Sequence, residues 1–197
     1  MRVTLYDTTL RDGEQSPGVC FSPEQKLDIA RKLVEVGVQE FDAGFPVVSE
    51  EERKAVRLIS GEGLGAKVLA LARALEEDIN ACVECDVDGV IIFIATSDLH
   101  LRYKLRISKE EVEERVADAV EYAAEHFNFV QLACEDATRT DLNFLKRVYR
   151  RAEAAGAKRV TVADTVGTIH PVEMGSLVKN VKKDIGIPIA VHCHNDF

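Results

Sequence analysis

MRVTLYDTTLRDGEQSP, residues 1–17, is the stretch whose reading decides the fold. Val3–Asp7 is a short run of strand formers, and Thr8–Pro17 behind it is rich in charge and poor in glycine. The rest of the chain alternates strand and helix, a pattern that makes a parallel sheet with right-handed crossovers. Two architectures fit such a pattern, an open doubly wound sheet and a closed barrel. An open sheet of this kind usually carries a glycine-rich phosphate loop after its first strand. This chain carries Arg11, Asp12, Glu14 and Gln15 there instead, so a (β/α)8 TIM barrel is expected.

Working outward, Ser22-Pro23-Glu24-Gln25 combines a capping serine, a proline at the first helical position and a side chain able to close a capping box. Leu27, Ala30, Leu33 and Val34 follow at helical spacing, and Gly37 ends the helix. Further strands are expected at Val38–Ala43, Lys67–Ala72, Gly89–Ala95, Phe129–Cys134, Val160–Ala163 and Ile187–Cys193. The intervening helices fall at Glu50–Ser60, Glu76–Glu84, from a second capping box at Ser108 and Glu111 through Ala123, at Asp141–Ala155 and at Pro171–Lys183. That makes about seven strands and six helices, whereas a complete barrel takes roughly 250 residues. Residues 1–197 are therefore expected to be one catalytic barrel domain, truncated on the C-terminal side and lacking its last helix, strand and helix.

A 46% hydrophobic fraction is enough for a sizeable core, and a net charge of −9 argues against nucleic acid and anionic membrane as partners. No apolar stretch reaches the ~20 residues of a membrane span. The N-terminus reads as a strand rather than a signal peptide, and five scattered cysteines fit a reducing compartment, so a cytoplasmic protein is expected.

Chemistry on such barrels sits at the C-terminal ends of strands. His192-Cys193-His194 ends the last strand, and residues two apart on a strand point the same way. Two imidazoles so placed can bind one divalent cation, or they can be an ordinary hydrogen-bonded pair. In the first loop Asp12 could add a hard oxygen ligand, and Arg11 could bind a carboxylate or a developing enolate oxygen. Other strand ends add Asp42, Arg73, His100, Glu135 to Arg139, and Asp164-Thr165, while several opposite loops are small and glycine-rich. Cys82-x-x-Cys85 lies on a predicted helix with no second pair, so it reads as buried thiols. Gly61-Glu62-Gly63-Leu64-Gly65 precedes a strand and reads as a turn, and His126 and His170 read as helix-end residues.

Six collinear motifs give the chain a specific resemblance: DTTLRDGEQSPG at 7–18, AGFPVVSEEE at 43–52, FIATSDLHLRYKL at 93–105, CEDATRTD at 134–141, ADTVGTIHP at 163–171 and VHCHNDF at 191–197. Together they resemble the metal-dependent Claisen-type synthases that make 2-isopropylmalate, homocitrate and citramalate, with HMG-CoA lyase more distant. The resemblance implies a TIM barrel, a homodimer, acetyl-CoA and a 2-oxoacid as substrates, and a divalent cation such as Mn, Zn or Mg. It implies Asp12, His192 and His194 as metal ligands, with Arg11 facing the 2-oxoacid carbonyl and the enolate. Glu135 and Thr165 would orient the 2-oxoacid, with His100 and Arg139 nearby, and Gln15 and Asp42 join them as substrate-binding candidates. The wording is most similar to the isopropylmalate branch, implying 2-oxoisovalerate as acceptor and leucine biosynthesis. Homocitrate and citramalate synthases are the alternatives within the class, and an inactive metal- or partner-binding fragment is the alternative outside it.

Two departures stand out. Isopropylmalate synthases usually place Glu before A-G-F-P, where this chain has Asp42, one methylene shorter. A contact made there is accordingly expected to run through water. The family also draws an Asn ligand and the parts that complete the acetyl-CoA site from beyond Phe197.

Overall fold

Strand pairing is parallel wherever the register is defined, and each strand returns through a helix. A computed structural model describes residues 3–195, so Met1, Arg2, Asp196 and Phe197, the last two being part of the final motif, lie outside the described residues. The chain forms two compact units, Met1–Ile91 and Ile92–Phe197.

The first unit contains β1 (Tyr6–Asp7), α1 (Pro23–Glu35), β2 (Glu40–Asp42), α2 (Glu50–Gly61), β3 (Lys67–Arg73) and α3 (Glu76–Val83). Strand β4 (Gly89–Ala95) crosses the division between the units. The second unit continues with α4 (Lys109–His126), β5 (Val130–Glu135), α5 (Leu142–Ala154), β6 (Arg159–Asp164), α6 (Pro171–Val181) and β7 (Ile189–Cys193). The strand order is β1-β2-β3-β4-β5-β6-β7, so every strand lies beside its neighbour in sequence. Strict succession of this kind is barrel topology and excludes the doubly wound order, which reverses at a switch point.

Register follows the buried face. Phe41 of β2 lies opposite Val68 of β3, and in the second unit Leu132 and Cys134 of β5 oppose Val160 and Val162 of β6. All six of these side chains are buried. In β4 Val90, Ile91, Ile92, Ile94 and Ala95 are all buried, which explains its unbroken apolar run. Gln131 and Tyr149 have their polar groups paired: Gln131 Nε2 donates to Thr161 Oγ1 at 2.7 Å, and the fully buried Tyr149 hydroxyl donates to the Thr161 carbonyl at 2.8 Å.

Both expected capping boxes are present. Ser22 accepts from Gln25 N while the Gln25 side chain accepts from Ser22 N, and Ser108 and Glu111 do the same. His170 caps α6, its Nδ1 accepting from Val172 N. Cys82 and Cys85 are buried, and burial pushes both thiols above the ordinary value, as suits packed rather than reactive sulfur.

Two local expectations need correcting. Strand β1 is two residues long, and Val3 and Leu5 are 70% and 80% exposed. Gly37, at φ +93°, turns the chain out of α1, and β2 begins only at Glu40, so β1 has no partner before Tyr6. On α1 the buried residues are Lys26 and Ala30, while Leu27, Leu33 and Val34 stay partly exposed. After β4 the expected loop is helical: Ser97 caps a turn at Asp98–His100, a wider π-turn covers Leu101–Leu105, and Arg106 closes it at φ +56°. Among the described residues no helix is long and apolar enough to cross a membrane.

Ser108→Ala leaves Glu111 N without its cap acceptor, bonded at 3.1 Å. We expect the complete protein to lose about 1 kcal/mol of unfolding free energy. A denaturant titration of parent and variant, compared at equal slope, checks it.

Candidate functional site

The first loop is folded by its own backbone. The Thr8 carbonyl accepts from Arg11 N, Asp12 N and Gly13 N, and the Asp7 carboxylate accepts from Thr9 N at 2.8 Å. Leu10 is fully buried and anchors the turn. These bonds turn the Arg11 side chain toward β2, where its Nε meets Asp42 Oδ2 at 2.7 Å while Nη1 meets Asp12 Oδ1 at 2.8 Å. The expected water at Asp42 is not needed, because β1 and β2 are adjacent strands and the shorter side chain reaches Arg11 directly. Asp42 is 0% exposed, which places it behind the guanidinium rather than at the surface. Burial raises the Asp42 carboxyl above the usual range despite Arg11. Burial alone would lower Arg11, but Asp42 and Asp12 outweigh it and hold the guanidinium above its ordinary value. Gln15 ends the short turn Gly13–Gln15 and is exposed.

The sequence reading missed a second charged cluster in this unit. Lys26 is 1% exposed, and its ammonium contacts Glu14 of the first loop and Glu52 of α2. Glu14 Oε1 accepts from Phe21 N and Glu52 Oε1 from Phe45 N, both at 2.9 Å. The signal available was a lysine four residues before Ala30 on the same helical face, inside an apolar stripe. Gly44, at φ +149°, makes the arrangement possible: a Cβ there would collide with Glu52 Oε1.

In the second unit the ends of β4 to β7 carry His100, Glu135, Arg139, Thr165 and His194. Glu135 receives Lys104 Nζ on both carboxylate oxygens at 2.7 Å, and His100 Nδ1 lies 3.4 Å from it. The backbone N–H of Asp136 donates to Thr165 Oγ1 at 2.8 Å, and its carboxylate takes Arg139 with two bonds at 2.7 and 2.8 Å. Burial would raise Asp136, yet Arg139, with Ser97 and His100, brings its carboxyl below the usual range. Asp164 holds the next strand end, accepting from Thr138 Oγ1 and Ile169 N on its carboxylate and from His194 N on its carbonyl. His192 stands opposite Ala163 on β6. The His192 and His194 rings share a side, with centroids 4.9 Å apart, and both are partly exposed. Asp12 is partly exposed as well. Two imidazoles on one side of a strand end, open to solvent, fit the nitrogen donors of a divalent-cation site. Of these residues Lys104 was overlooked, because the π-turn that carries it leaves no local signature.

The HMGL-like family profile matches residues 2–197. The homocitrate synthase AksA of Methanopyrus kandleri is 60% identical over 195 residues, covering 99% of this chain and 49% of that protein. A probable 2-isopropylmalate synthase of the same organism is 54% identical over 196 residues, covering 100% of this chain and 39% of that protein. The chain thus spans about half the length of the homocitrate synthases it matches. Among solved structures, the HMG-CoA lyase of Bacillus subtilis superposes with a TM-score of 0.86 at 17% identity, over 98% of this chain and 69% of that one. That likeness fixes the fold as the (β/α) barrel of those lyases, of which the described residues supply seven strands.

Two outcomes follow. Gly44→Ala forces the Glu52 carboxylate away from Phe45 N, and we expect a stability loss of about 1–3 kcal/mol, read by thermal unfolding. Arg139→Gln removes the partner that lowers Asp136. A depressed carboxylate contributes stability above its unfolded pKa of about 4, so the gap between parent and variant should be widest near neutral pH. It should close as pH falls through the variant's raised value to the parent's lowered one, in denaturant titrations across that range.

Proposed function

The chain belongs to the HMGL-like family, and from that premise we propose that the protein condenses acetyl-CoA with a 2-oxoacid in a divalent-metal-dependent Claisen-type reaction. The observation that carries the reading is the His192–His194 pair, two imidazoles on one side of the end of β7. In this reading Asp12 joins them as the oxygen ligand. A cation so held would act as a Lewis acid on the acceptor carbonyl.

The chain's own residues supply the rest. Arg11 binds the acceptor oxygen as negative charge develops. A guanidinium has five N–H donors, and Asp42 and Asp12 occupy Nε and one donor of Nη1, so others remain for substrate. Because Asp42 grips Nε, Arg11 is positioned before substrate arrives, the condition under which such a donor stabilises a transition state most. Thr165 Oγ1 accepts from Asp136 N, which leaves its hydroxyl hydrogen free to donate to an acceptor carboxylate. Glu135, steadied by Lys104, orients the acceptor, with His100 beside it.

For the acceptor, the relatives favour the homocitrate reading, with 2-oxoglutarate, over the 2-oxoisovalerate expected from motif wording. The 2-isopropylmalate reading, with its place in leucine biosynthesis, stands second, and citramalate formation from pyruvate third. A homodimer belongs to the same proposal.

The experiment is CoA release by the full-length protein with 2-oxoglutarate, 2-oxoisovalerate and pyruvate, with and without chelator. We expect metal-dependent release, fastest with 2-oxoglutarate; release indifferent to chelator would end the metal reading. Asp12→Ala or His194→Ala should abolish metal-dependent release. Arg11→Ala should lower kcat about 100-fold while changing metal affinity much less. Collapse of metal binding with normal residual turnover would show that Arg11 serves the ion rather than the substrate.

A further inference from the structure

We infer that Lys26, a residue of α1 outside the substrate and metal set, is a positioning residue that locks the first loop to the loop after β2 and so sets Arg11 for the reaction. The inference rests on the condensation reading above for the reaction that Arg11 serves.

Three observations carry it. First, the Lys26 ammonium is 1% exposed and touches two carboxylates, one from each loop system: Glu14 in the first loop and Glu52 at the start of α2. Second, each carboxylate spends its other oxygen on a backbone N–H of the segment it anchors. Glu14 takes Phe21 N, at the approach to α1, and Glu52 takes Phe45 N, in the loop after β2. Third, the backbone makes room for this contact, because at Gly44 any Cβ would strike the Glu52 carboxylate.

The geometry explains what the lock is for. Arg11 stands three residues before Glu14, and Asp42 two residues before Gly44. The Arg11–Asp42 pair and the Glu14–Lys26–Glu52 bridge therefore tie the same two segments together. One tie leaves two segments free to pivot about it, and two ties remove the pivot. The direction in which the remaining Arg11 donors point is then fixed. A buried ammonium is a poor way to gain stability, since apolar groups of similar volume often do as well or better. Its value is geometric: it needs both carboxylates in reach at once, so it tolerates only one relative placement of the loops.

The test uses the full-length protein. In Lys26→Met we expect kcat per folded molecule to fall at least ten-fold, while KM for acetyl-CoA changes less than three-fold. Amide hydrogen exchange in residues 8–18 and 43–48 should speed up, and Lys26→Arg, which keeps the cation, should recover most of the lost kcat. A residue that only holds the fold together would lower the melting temperature and leave kcat per folded molecule within two-fold of the parent; that result overturns the inference. Unchanged exchange in both segments overturns it as well. If Lys26→Met does not fold, Glu14→Gln and Glu52→Gln keep the backbone bonds while weakening the bridge. A several-fold lower kcat in each supports the lock, and parental kcat in both overturns it. Should the parent itself release no CoA with any of the three 2-oxoacids, the condensation reading has failed, and the exchange rates still decide the lock.

Discussion

Parallel strand pairing is the constraint from which the rest follows. Two neighbouring parallel strands cannot be joined by a tight turn, so each must return through a crossover, here a helix. Within each unit the strands consequently finish at the same edge of the sheet, and the loops that leave them are brought together. In the first unit those are the loops after β1 and β2, with Arg11, Asp12 and Asp42. In the second they are the loops after β4, β5 and β6 and the end of β7, with His100, Glu135, Thr165 and the paired histidines. The chemistry is concentrated because the topology leaves it few other places to go.

What holds these ends in place is ionic and largely buried. Asp42, Asp136 and Lys26 are each at most 1% exposed, and each meets a partner of opposite charge. Such pairs contribute modestly to stability because desolvation offsets most of the attraction, whereas losing one partner is costly. They therefore act more as constraints on geometry than as sources of binding energy. Apolar burial in each unit supplies the stabilising term, and the ion pairs decide where the loops point.

The sequence made the architecture legible because the relevant signals are local. Ser22 with Gln25 and Ser108 with Glu111 announce helix starts three residues apart, and the apolar run of β4 shows its burial by composition alone. The histidine pair was equally readable, since a strand's alternation puts residues two apart on one side. What escaped notice depends on partners distant in sequence. Lys26 sits inside an apolar stripe, but its partner Glu52 lies 26 positions later and is brought to it only by the fold. The shortness of β1 follows from where β2 begins, not from Val3 or Leu5 themselves. The π-turn at Leu101–Leu105 has no periodicity of its own to betray it. The motifs say less about the acceptor, because a homocitrate synthase and a probable 2-isopropylmalate synthase are 60% and 54% identical to this chain, so both branches carry much the same residues.

Two left-handed residues show how the ends of β4 and β5 are held. Arg106, at φ +56°, and Asp136, at φ +60°, bend the chain where glycine would ordinarily be used, beside the Lys104–Glu135 and Asp136–Arg139 pairs. Holding a residue with a Cβ in that conformation costs about 1–3 kcal/mol, so it persists only where its surroundings fix it. The rim after β4 and β5 therefore stores backbone strain, kept in place by the ion pairs beside it.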